Sequence, residues 1–153
     1  MEKEELVINR IATLSSEISG IKNAYSFGNN PDILSNTSQL PAILFWPFNF
    51  DAHQSGHHGT FTNELHIRGS LFVIPRESKG GKLRYIENDV IPFMGRFRQK
   101  FQDVNNITQS LRDTNTQKFE MERIQYGAGG LFLTHSGIEF VGLIIDWKVV
   151  WTC

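Results

Sequence analysis

Cysteine is almost missing from this chain: of 153 residues only Cys153, at the very end, carries a thiol. A single cysteine excludes an internal disulfide and a zinc site built on four thiolates. The expected setting is therefore a reducing compartment, or indifference to redox state. Charge of one sign is scarce too. Fifteen Lys and Arg stand against 16 Asp and Glu, a net charge of −1. A dedicated nucleic-acid binder carries a clear basic excess, so that class is disfavoured. No apolar run approaches the roughly 20 residues of a membrane-spanning helix. The opening MEKEELVINR is acidic and amphipathic, unlike a signal peptide. The sequons at Asn36-Thr37-Ser38 and Asn106-Ile107-Thr108 are then expected to be accidental.

Motifs of chemistry are missing as well. The chain has no HExxH, no CxxC, no GxxxxGK[ST] and no GxSxG around a serine. The run YGAGG lacks the GxGxxG spacing and is followed by LFLT, which does not start a helix. Cys153 has no rigid shell to lower its pKa. Glu120 and Glu122 read as alternating solvated residues of one strand. No catalytic residue and no cofactor or metal ligand is assigned on this basis, and the chain is expected not to be an enzyme.

What is present is an ordinary globular composition, 40% hydrophobic and 20% charged, with 12 phenylalanines. Length and composition favour one domain over 1–153. Val7, Ile11, Leu14 and Ile18 recur at helical spacing, with acidic residues first and Gly20 at the stop, predicting a helix over about 3–19. A short strand is expected over Ile21–Phe27, then a turn at Asn29–Asp32. Ala42–Phe48 is an apolar run between prolines and reads as a buried strand. Thr62–Pro75 alternates as a long half-buried strand, with Gly69 in the apolar phase marking a bulge or a close approach. Ile86, Val90, Phe93, Phe97 and Phe101 form a second helical stripe. Pro92 requires that helix to start near Val90, with Asp89 as its cap, or to be kinked there.

The segment 102–116 is polar and loop-like. In Phe119–Tyr126 the apolar phase switches after Met121, which suggests a bulge, and 127–130 is a glycine turn. Val141, Leu143, Ile145, Trp147, Val149 and Trp151 then keep one phase through a long strand, expected in the middle of the sheet with one face on a helix layer. The fold class expected is α+β: a mostly antiparallel twisted sheet, two helices packed on one face, and a long hairpin loop.

Three features compete as functional sites. AHQSGHHGT puts His53, His57 and His58 in a glycine-rich stretch that reads as a loop. They could ligate a metal with His66, yet Asp51 is the sole carboxylate nearby, so solvated loop histidines are the favoured reading. Trp46, Phe48 and Phe50 alternate just before that loop. They are either a strand end in the core or aromatic anchors for another subunit. Lys79, Lys82 and Arg84, then Arg96, Arg98 and Lys100, are either solvated surface or a patch for an acidic partner.

In layout the chain resembles the phage tail terminators and related head-to-tail joining proteins. The carriers are the N-terminal helix running into EISGIKNAYSF, then LPAILFWP, the long strand–loop–strand region with its following helix, and the closing GIEFVGLIIDWKVVW. They span nearly the full length. The resemblance implies a non-catalytic virion protein, assembled in the host cytoplasm, that forms a ring with itself, often hexameric. Such a ring caps the tail tube and joins it to the neck or connector. DNA only passes through its lumen, and no cofactor or membrane is involved. The stretch around His53, His57 and His58 and the turn from Ser78 to Lys82 would be arms reaching neighbours. The alternatives are a head–tail adaptor or another minor tail or neck protein, a small histidine-dependent metal enzyme, and a ligand-binding domain around Trp46.

Overall fold

The computed structural model describes residues 3–26, 31, 39–54, 59–75, 83–102, 116–125 and 132–152; for 83–88 and 132 the description is of the backbone. His57, His58, Lys79, Lys82 and Cys153, the expected turns at Asn29–Asn30 and 127–130, and the polar segment 103–115 lie outside the described residues.

The order is α1 (Lys3–Ser16), β1 (Asn23–Tyr25), β2 (Ala42–Gln54), β3 (Phe61–Pro75), α2 (Leu83–Phe101), β4 (Thr116–Gln125), β5 (Phe132–His135) and β6 (Ile138–Thr152). The strands form one open sheet in the order β1-β2-β3-β6-β4, with β5 beside β6. All pairs are antiparallel except β1 with β2. This is the α+β architecture expected.

Both helices cover one face of the sheet. Val7, Ile11, Leu14 and Ile18 of α1 and its following turn are buried. They join Val90, Phe93, Phe97 and Phe101 of α2 in one core with Ile43, Leu65, Ile67, Leu71, Leu143, Ile145, Trp147 and Val149. The odd-numbered apolar phase of β6 is the inner face of that core. β6 lies between β3 and β4, so it is the mid-sheet strand its length implied. A smaller cluster, including Leu40, Leu44, Phe72 and Phe140, is buried on the opposite face at one end.

Gly20, with φ of +94°, ends the turn after α1 in the left-handed region that glycine favours. Gly69 is a close approach rather than a bulge. A Cβ there would stand 2.9 Å from Trp147 Cζ3, 3.0 Å from Ile43 Cδ1 and 3.1 Å from Phe45 Cε1. The indole of Trp147 thus fills the space that a side chain at 69 would need. Gly69→Ala is expected to cost about 2 kcal/mol through overpacking, despite the alanine's lower chain entropy. Urea unfolding should show a lower midpoint with an unchanged slope.

Three expectations are corrected. First, of the two readings of Pro92, a start near Val90 is excluded: α2 begins at Leu83, so Asp89 is interior to the helix and Pro92 sits well past the first turn. Proline at 92 removes the bond to the Asn88 carbonyl, a penalty of about 3 kcal/mol. Burial of Val90, Phe93, Phe97 and Phe101 offsets it, with Pro92 itself on the exposed side. Second, β2 does not stop at Phe48. It continues through Asn49–Gln54, pairing with β3 down to Gln54 opposite Phe61. Asn, Asp, Ala, His and Gln are poor strand formers, and here cross-strand pairing overrides propensity. His53 is therefore a strand residue. Third, β5 was not foreseen. It pairs with the first residues of β6 around Ser136 (φ 52°) and Gly137 (φ 81°).

Candidate functional site

Among the described residues, the face of the sheet away from the helices carries two neighbouring networks of charged side chains. Directly opposed residues on antiparallel strands point to the same side, so the registers define its rows. One row runs Trp46, Arg68, Asp146, Arg123 across β2, β3, β6 and β4. The next runs Asn49, His66, Lys148, Glu120, and the one beyond it Asp51, Glu64, Val150, Lys118.

Asp146 is the hub. Its side chain is 4% exposed and receives both neighbouring arginines. Arg68 donates Nε to Oδ1 at 2.8 Å and Nη2 to Oδ2 at 3.2 Å. Arg123 donates Nη2 and Nε to Oδ2 at 2.8 and 3.2 Å. Burial pushes the Asp146 carboxyl up, but the hydrogen bonds and charges of Arg68 and Arg123 outweigh it and hold the group below its ordinary value. The hydrogen bond to Asp146 likewise raises Arg68.

A second network lies beside it. His66 Nε2 is 2.9 Å from Glu64 Oε1, and its Nδ1 is 3.0 Å from Glu122 Oε1. Both contacts are hydrogen bonds only when both ring nitrogens carry a proton. Lys148 Nζ lies 3.2 Å from the same Glu64 oxygen. The hydrogen bond from Lys148 is the largest influence on Glu64; burial opposes it, and with the further help of His66 and of the Lys148 charge the carboxyl stays below its ordinary value. Among the described residues Asp146 is paired with Arg68 and Arg123, and Glu64 with Lys148.

Bulges decide where the candidate aromatics go. β2 slips between Pro47 and Asn49, leaving Phe48 as the extra residue. The expected alternation of Trp46, Phe48 and Phe50 on one side is therefore broken. Trp46 opposes Arg68 on the charged face. Phe48 lies there too, with the Arg68 guanidinium 4.5 Å from its ring centre and the His66 ring edge-on at 5.7 Å. Phe50 opposes Leu65 on the helix side, with its ring 6.3 Å from Trp151. There it lines an apolar cleft of about 220 Å³ with Ile8, Pro47 and Leu65, rimmed by Glu4 and Glu5. All three aromatics are substantially exposed: 38%, 41% and 47% for Trp46, Phe48 and Phe50. They are not the core end of a strand.

The remaining candidates are separated. His53 is exposed, its Nδ1 3.0 Å from Asp51 Oδ2. It opposes Thr62, four positions from His66, or about 13 Å along the strand. That is too far for the two to share an ion held at about 2 Å. Among the described residues no group of three His, Cys, Asp or Glu side chains is placed to hold a metal ion. Arg96 belongs to the helix layer. It donates Nη1 to the Ser19 carbonyl at 3.0 Å and lies 5.1 Å over the Phe93 ring, closing the turn after α1. It does not meet the aromatics of β2.

β4 carries the bulge expected after Met121, with Glu122 as its extra residue. Along this edge, Met94 and Arg98 of α2 with Met121, Arg123 and Ile124 of β4 line a groove of about 350 Å³. The networks around Asp146 and His66 were not foreseen. The available signal was Asp146 itself, an acid in the middle of a long apolar strand, which when buried needs a cationic or hydrogen-bonding partner.

No protein-family model matches the chain, and no curated protein is significantly similar to it.

Proposed function

We propose that this chain is a structural subunit of a phage virion: a tail-terminator-like protein that forms a homo-oligomeric ring, caps the tail tube and joins it to the neck or connector. The observation that carries the reading is the outer half of β2. β1 covers only Ala42–Leu44 of that strand. Among the described residues, Trp46–Gln54 is an edge with Trp46, Phe48 and Phe50 exposed on its two faces. Exposed aromatics on an open strand edge mark a surface that another protein chain covers. An open sheet with distinct edges suits the heterologous contacts of a closed ring. The near-neutral charge, −1 overall, suits a lumen through which DNA passes without being gripped.

Native mass spectrometry and negative-stain imaging test the reading. The expected result is one discrete closed oligomer with a central opening, which binds the ends of purified tail tubes. A strictly monomeric protein that leaves tube ends bare overturns it.

A further inference from the structure

The geometry points to the contact that closes the ring: the β2 edge of one copy adds to the β4 edge of the next, making one sheet continuous between subunits. This inference rests on the ring reading above and names the surface that reading requires.

Strand polarity is the first argument. From β2 to β3 to β6 to β4 each step is antiparallel, so β2 and β4 run in opposite directions at opposite ends of the sheet. A second copy, rotated about an axis parallel to the strands, keeps its helix layer on the same side. It then presents β2 antiparallel to β4, the more stable pairing. Each copy uses two different edges, so the contact is heterologous and propagates until it closes.

Register is the second argument. In an antiparallel pair, side chains stay on their own faces only in registers that differ by two residues. On β2, Phe50 and Ala52 face the helix side while Asn49, Asp51 and His53 face the charged side. On β4, Phe119, Met121 and Ile124 face the helix side while Lys118, Glu120 and Arg123 face the charged side. Setting Phe50 opposite Phe119 puts Asp51 opposite Lys118 and Asn49 opposite Glu120. Sliding by one step of two, so that Phe50 meets Met121, puts Asp51 against Glu120 and His53 against Lys118. Like charges directly opposed are destabilising, which favours the first register over this one.

The bulges support the same choice. With Phe50 opposite Phe119, Pro47 meets Met121. Phe48, the extra residue of β2, then lies just before the Pro47–Met121 pair, and Glu122, one of the two extra residues of β4, lies just after it, so the two bulges offset each other in count. Beyond them Trp46 comes opposite Arg123, returning both edges to phase with an exposed indole beside a half-exposed guanidinium. On the helix side Phe50 lies next to the groove of Met94, Met121 and Ile124. The edge thus supplies backbone hydrogen bonds, an aromatic anchor and one charge pair, all to a second copy of this chain.

Charge reversal tests the contact. Asp51 and Lys118 side chains are 64% and 53% exposed, so Asp51→Lys and Lys118→Asp leave the fold intact, as circular dichroism will verify. Each single reversal is expected to weaken assembly by roughly tenfold per contact, read by analytical ultracentrifugation. The double reversal restores the opposite pair and with it the wild-type oligomer. An equimolar mixture of the two single variants does so as well, because every contact between unlike variants is again of opposite sign. A wild-type ring that neither reversal weakens overturns the edge pairing and leaves the ring reading standing. So does weakening by both singles without recovery in the double. A two-subunit assembly sensitive to Asp51 alone also overturns it, in favour of β2 pairing with itself. A monomeric wild type overturns both readings together.

Discussion

Trp147→Ala is expected to lower the unfolding free energy by about 4 kcal/mol, the upper range for truncating a buried aromatic. Trp147 is fully buried at the junction of the sheet with α2. Its ring meets Phe101 at 5.3 Å with the planes inclined at 62°, Phe45 at 5.6 Å and Phe97 at 6.5 Å. It also fills the hollow above Gly69 on the neighbouring strand. Truncation therefore removes one of the contacts between α2 and the middle of the sheet as well as the buried area. A domain of this size has about 5–15 kcal/mol in all, so the loss takes a large share of it and should move the urea midpoint well down. Trp147→Phe is the informative companion. Among the described residues the indole N–H meets no acceptor, so phenylalanine sacrifices no hydrogen bond and should cost about 1–2 kcal/mol through lost volume. Phenylalanine also removes the ring portion that carries Cζ3, the atom nearest a Cβ at position 69. Gly69→Ala should then be less costly in the Trp147→Phe background than alone. That non-additivity, measured by urea unfolding of the four proteins, ties the two positions to one cavity. Additive losses would show that the strain at Gly69 comes from Ile43 and Phe45 instead.

The cavity shows where the sequence was readable. Gly69 interrupts an apolar phase, and Trp147 lies in another; each alone announces a buried strand, and Gly69 announces a close approach. Which neighbour fills the gap depends on the pairing of β3 with β6, where Gly69 opposes Ile145, and no local pattern encodes that. The helices and the long strands were legible because their apolar residues repeat at 3.6 or 2 over many positions. The start of α2 was not, because proline is a strong local stop and only the tertiary burial of three phenylalanines overrides it. The outer half of β2 was hidden for the converse reason. Asn49, Asp51 and Ala52 are poor strand formers, and what holds them extended is the facing strand β3.

The interaction surface divides in the same way. Exposed aromatics at 46, 48 and 50 were visible as a cluster, and their role as anchors was one of two readings open. Their distribution between the faces was not visible, because a bulge at Phe48 depends on the partner strand. The bulge in β4 could be seen, since the apolar phase itself changes sides after Met121. Arg96 stood out as part of a basic cluster, but its charge is spent on the Ser19 carbonyl. The ion pairs among Arg68, Arg123 and Asp146 join residues 78 and 23 positions apart, a distance over which spacing rules say nothing.

Asp146→Asn should destabilise the protein by about 3 kcal/mol, because it strands two arginines beside a neutral amide at a buried position. The losses at the partners are expected to be unequal. Arg123 is 54% exposed, and without it Asp146 keeps the two bonds from Arg68; Arg123→Ala should cost about 1 kcal/mol or less. Arg68 is more buried and also stacks on Phe48, so Arg68→Ala should fall between. Replacing all three by apolar residues of similar size, with Asp146→Leu, Arg68→Met and Arg123→Met, should recover most of the loss, since a buried ion cluster is costly to break and inexpensive to replace whole. The pH dependence separates charge from packing. The Asp146 carboxyl is held below its ordinary 3.8 in the folded chain. Its contribution is therefore fully present above that value and is lost as pH falls through the lower folded value. The stability gap between wild type and Asp146→Asn should accordingly be constant from pH 7 to about 5 and narrow below 3.8, as followed by urea unfolding at each pH. A gap that stays unchanged into strong acid would mean that Asp146 acts through shape and hydrogen bonding alone.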